Sequence, residues 1–171
     1  MLDVTVHGSE EIRRVAMALR RADREDLRKG LAKAIRKAAR PTLDAIQDSA
    51  RHISTTGQRK PGARHPFVRV GAPKDTRRKI ADAVVADIKV EETDPRVRFR
   101  VAESKLPLEL RNMPRKFDEG KWRHPVMGNR DVWVGQTSDP WFWPPIRDHI
   151  KDFRAEIELT LDEVRQMIER A

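Results

Sequence analysis

The sequence predicts an α+β fold: long helices packed on a small antiparallel sheet, in a single domain spanning residues 1–171. Three observations predict it. Near the C-terminus, Ile146, Ile150, Phe153, Ile157, Leu161, Val164 and Ile168 recur at steps of three or four, the period of one helix face. Leu27, Leu31, Ile35, Ala38, Thr42, Ile46, Ser49 and Ile53 do the same over a second long stretch. Between the two, Ile88 and Val90, then Val97, Phe99 and Val101, alternate with polar residues about Thr93-Asp94-Pro95, the pattern of a hairpin. Hydrophobic residues make up 38% of the chain and charged residues 37%. That balance points to a modest core, extended elements, or apolar surface completed by neighbouring subunits.

Taken in order, Leu2, Val4 and Val6 predict a short strand with one buried face. Ser9 caps a first helix with Glu10 and Glu11 at its positive end and Arg20 and Arg21 at the other, its apolar face being Ile12, Val15, Ala16, Leu19 and Ala22. Asp23 caps the second, from about Glu25 to His52, which Pro41 is expected to kink or split near Arg40. Residues 54–76 are rich in Gly, Pro and basic residues and lack periodicity, which predicts a long flexible basic arm with Arg59, Lys60, Arg64 and Arg69, and with Phe67, Val68 and Val70 as its apolar anchors. A short helix from Arg77 to Val84 leads into the hairpin, and Lys105 to Gly120 holds another short helix. Pro144 and Pro145 open the C-terminal helix, where the missing N–H groups do no harm.

The net charge of +9 is uneven. Residues 1–80 carry 20 Lys/Arg against 9 Asp/Glu, and residues 81–171 carry 16 against 18. Lys29, Lys33, Arg36, Lys37 and Arg40 form a basic stripe on the second helix. A basic half and a slightly acidic half suit head-to-tail packing of identical subunits, or an acidic partner such as DNA; a solvated basic face is the plainer alternative. No apolar run approaches the ~18 residues of a membrane span, so no membrane partner is expected, and the absence of cysteine excludes disulfides and thiolate metal sites.

Little in the chain suggests catalysis. There is no HExxH, GxSxG, Walker A or GxGxxG pattern, so no metal, cofactor or catalytic residue is expected. His149 and Asp152, three apart, border the apolar stripe of the last helix. A small basic ribonuclease using His65 or His124 beside Arg64 or Arg123 is the weakest alternative, because such pairs arise by chance among 36 basic residues. Non-specific nucleic-acid binding by the stripe and the arm is the stronger one, although no helix-turn-helix, zinc-finger or RNP-like motif accompanies them.

All four tryptophans lie between Lys121 and Pro145, in a segment broken by Pro125, Gly128, Gly135 and Pro140. It reads as an irregular segment with a tight turn at Gly128-Asn129-Arg130-Asp131 before Val132-Trp133-Val134. Trp residues so placed either plug the core or anchor an interface. The interface candidates are Trp122, His124, Asn129, Arg130, Trp133, Trp141, Phe142 and Trp143.

The run Lys121-Trp122-Arg123-His124-Pro125-Val126-Met127-Gly128-Asn129-Arg130-Asp131, followed by Gln136 and Pro140-Trp141-Phe142-Trp143, resembles a pattern in the tail-completion and neck proteins of tailed bacteriophages, with Met127 in place of Phe. The helix from Leu31 to Pro41, the Thr56-Gly57 loop, the Arg77 to Ala81 segment and the hairpin share the resemblance, which runs from about Val4 to Glu169. It implies a non-enzymatic virion protein, made in the bacterial host cytoplasm and assembled as a ring, six-fold by expectation, at the head-proximal end of the tail. The partners it implies are further copies of the chain, the neighbouring neck and tail-tube proteins, and the genomic DNA by non-specific contact.

Overall fold

An Ala-rich run without consecutive β-branched residues favours helix, and α1 (Glu25–Arg51) forms one of 27 residues in the computed structural model. The structure describes residues 2–7, 13–15, 17, 25–57, 75–90, 96–126 and 129–169; residues 7, 25–28, 56, 57, 124–126, 129, 130, 132 and 167–169 are described by their backbone alone. Of the kink or split expected at Pro41, the split does not occur: the helix passes Pro41 without a break. Lys37 and Pro41 both lie on the exposed side, where water can take up the carbonyl that the missing proline N–H leaves unpaired. The other side is dry: Leu31, Ile35, Ile46 and Thr42 are almost completely buried.

Among the described residues, six strands form two antiparallel sheets. The first sheet has β1 (Asp3–His7), β3 (Val84–Lys89) and β4 (Arg96–Val101), with β4 in the centre. The sequence pattern sets its two faces. Val97, Phe99 and Val101 point into the core, and Phe99 pairs with Val4 on one side and Ala86 on the other. Arg96, Arg98 and Arg100 occupy the other face, where Arg98 donates to Asp3 at 2.6 Å and Arg100 to Asp87. Helix α2 (Thr76–Ala83) feeds β3 directly, and Gln47 of α1 donates to the Val84 carbonyl at 3.2 Å, tying that helix to the sheet.

The second sheet was not expected. It has the order β2-β6-β5, formed by β2 (Thr55–Gly57), β5 (Lys121–Val126) and β6 (Asn129–Ser138). The start of the supposed arm is a strand, because Thr55, Thr56 and Gly57 pair with Ser138, Thr137 and Gln136. Its end is helical from Thr76, while Arg59, Lys60, Arg64, Phe67 and Arg69 lie outside the described residues. Most of the tryptophan segment is two paired strands, and Asn129, Arg130 and Asp131 of the expected turn belong to β6, while Gly128 lies outside the described residues. Pro125 is tolerated because β5 is an edge strand, and the register slips just after it, between Pro125 and Val126.

Helix α3 (Met113–Glu119) ends at Gly120, whose φ of 79° suits a residue without a side chain. Helix α4 (Trp143–Glu169) runs 27 residues and packs beside α1. Ile146, Phe153, Ile157, Leu161 and Val164 of its stripe are buried as the spacing demands, and Phe153 meets Phe99 edge-to-face at 5.9 Å. Val15, in the region of the expected first helix, is buried in the same core.

Candidate functional site

The tryptophan hairpin and the residues that follow it divide into a buried half and an exposed half. Trp122 packs edge-to-face on Phe117 of α3, with ring centroids 5.1 Å apart. Strand alternation puts Trp122 and its partner Gln136 on one face of the second sheet. Lys121, Arg123, Trp133 and Thr137 lie on the other face, and all four are exposed, Trp133 at 48%. Gly135 lies on that outer face beside Trp133, with open space where a side chain would stand.

Beyond β6 the chain turns into the core. Ser138 holds it to α3, donating from its hydroxyl to the Phe117 carbonyl at 2.5 Å and from its N–H to the Gly120 carbonyl at 2.9 Å. Asp118 then accepts the N–H groups of Trp141 and Phe142 with one carboxylate oxygen, at 3.0 and 2.9 Å. It serves as a cap for α4 supplied by another helix. Pro144 and Pro145 complete the start, since neither carries an N–H to leave unpaired. The Trp141 indole is 1% exposed, and its N–H donates to the Pro114 carbonyl at 3.1 Å. Phe142 is fully buried and meets Trp141 edge-to-face at 5.5 Å, while Trp143, the first residue of the helix, is 46% exposed. Replacing Asp118 with alanine frees two N–H groups at a part-buried helix start, for an expected loss of about 1–2 kcal/mol by denaturant titration.

Of the eight interface candidates, Trp122, Trp141 and Phe142 therefore belong to the core, and Trp133 and Trp143 are on the surface. His124, Asn129 and Arg130 are placed in strands, but their side chains lie outside the described residues. The five residues of the basic stripe are all exposed, and Arg40 pairs with Asp44 one turn on at 2.9 Å. The alternation Arg96-Val97-Arg98-Phe99-Arg100-Val101 shows a cationic sheet face that a search for apolar residues alone passes over.

Arg36 also lines a cleft of about 380 Å³ at the edge of β3, with Lys89, Arg96, Arg98 and one carboxylate, Asp87. Among the described residues, no three His, Asp or Glu side chains converge as a metal site would require. His149 is half-buried on α4, and the side chains of His65 and His124 are outside the described set. No helix among the described residues is long and apolar enough to cross a membrane. No family model matches the chain, and neither a curated protein nor a solved structure shows significant similarity to it.

Proposed function

We propose that the chain is a structural subunit of the neck of a long-tailed bacteriophage, a tail-completion component that works by assembly and not by catalysis. One observation carries the reading: the tryptophan-rich region keeps one part of its aromatic surface for its own core and presents Trp133 and Trp143 outward. Large, rigid aromatic side chains held at a surface are the residues on which protein interfaces most often depend. Both sit on ordered supports, Trp133 on the central strand of a sheet and Trp143 at a helix start capped from α3. The resemblance of Lys121 to Trp143 to neck proteins supports the same reading and supplies the partners: further copies of the chain in a ring around the DNA exit path, with neck and tail-tube proteins above and below.

The test is immunogold electron microscopy on tailed particles recovered from cells that encode the chain, with mass spectrometry of the same particles. The expected result is label at the junction of head and tail. Tailed particles that lack the chain, or label elsewhere on them, would overturn the reading.

A further inference from the structure

The outward sides of the two long helices carry opposite charge at the same spacing. On α1, Lys29, Lys33, Arg36 and Arg40 follow steps of 4, 3 and 4, and Lys37 lies beside them. On α4, Asp152, Glu156, Leu159 and Glu163 follow the same steps. All nine are exposed, and Leu159 stands out at 62% with Ala155 and the carboxylates of Glu156, Asp162 and Glu163 around it. Asp162 pairs within its own helix with Arg165 at 3.2 Å, and Arg40 with Asp44. Among the described residues, Lys33, Arg36 and Lys37 make no ion pair within the subunit, and neither do Asp152, Glu156 and Glu163.

We infer that the basic face of α1 binds the acidic face of α4 in a second copy of this chain. The steps 4, 3, 4 read the same in both directions, so the ridges stay in register whether the two helices run parallel or antiparallel. Eleven residue-to-residue steps of helix make each ridge about 16 Å long. Leu159 then meets the aliphatic stems of Lys33 and Arg36, which cover apolar surface while their charges reach the carboxylates. Each exposed ion pair is weak and screened by salt, so a single contact is reversible and a closed assembly gains its permanence from repetition. The pairing rests on the reading of the chain as an assembling subunit and names the surfaces that join.

Sedimentation velocity of the full chain, treated with nuclease, tests it at low and moderate salt. The wild-type chain is expected to self-associate with rising concentration, and less so as salt increases. Lys33→Glu/Lys37→Glu and Glu156→Lys/Glu163→Lys, each alone, are expected to weaken association roughly tenfold or more, because like charges then face each other. An equimolar mixture of the two, or one chain bearing all four changes, is expected to associate again. Circular dichroism and denaturant midpoints establish that each variant is folded, and the four-fold variant keeps the test valid if one pair misfolds. A monomeric wild-type chain, unweakened double variants, or a mixture that stays monomeric would each overturn the pairing. If the pairing fails while the chain labels the head–tail junction, the neck reading stands without it; if it succeeds while tailed particles lack the chain, that reading falls alone.

Discussion

Trp141→Ala is expected to destabilise the fold by about 3–5 kcal/mol, a large part of the stability of most domains. The indole is among the largest fully buried side chains, and its removal opens a cavity beside Phe142. The Pro114 carbonyl also loses the N–H that it accepts in a buried setting, which adds the cost of an unsatisfied polar group. Trp143→Ala, two residues on, is expected to change stability by less than about 1 kcal/mol, since half of its surface is already in water. Urea titrations of the two variants decide this. Equal losses would mean that Trp143 is held in the core as firmly as Trp141.

A loss of similar size, about 3–5 kcal/mol, is expected for Phe99→Ala. Phe99 is fully buried at the middle of the central strand of the first sheet, flanked by Val4 and Ala86 and met edge-to-face by Phe153 of α4. It joins sheet to helix, so its loss uncouples two layers and not one contact. In a double-mutant cycle with Phe153→Ala, a coupling of about 0.5–1.5 kcal/mol is expected from the ring pair. Additive losses would show that the two rings share a core without stabilising each other.

Periodicity made the long helices and the first sheet legible. The stripe from Ile146 to Val164 and the alternation of Val97, Phe99 and Val101 each depend on local spacing, which survives any tertiary arrangement. The second sheet was hidden because β2 has three residues and pairs with a strand some eighty positions away. Pro125 and Gly135 made a real hairpin look irregular, and only an edge position for β5 accommodates the proline. Pro41 does not split α1, since a solvated helix face tolerates a missing donor.

The division of the tryptophans was beyond the sequence for a similar reason. Trp141 and Trp143 have nearly the same neighbours in the chain, and what separates them is Asp118, 23 residues before Trp141, which fixes the direction in which the chain enters α4. The basic stripe could be read from helical spacing, but its acidic counterpart on α4 stood out only once the buried side of that helix was known.

The most direct measurement is incorporation of a Trp133→Ala/Trp143→Ala variant into particles assembled in cells that supply no other copy of the chain. The variant is expected to unfold at nearly the wild-type denaturant midpoint, yet to leave heads and tails unjoined, with the chain missing from both. A variant that is folded and found at wild-type level in joined particles would show that the exposed tryptophans do not anchor assembly, and would contradict the proposed role of this surface.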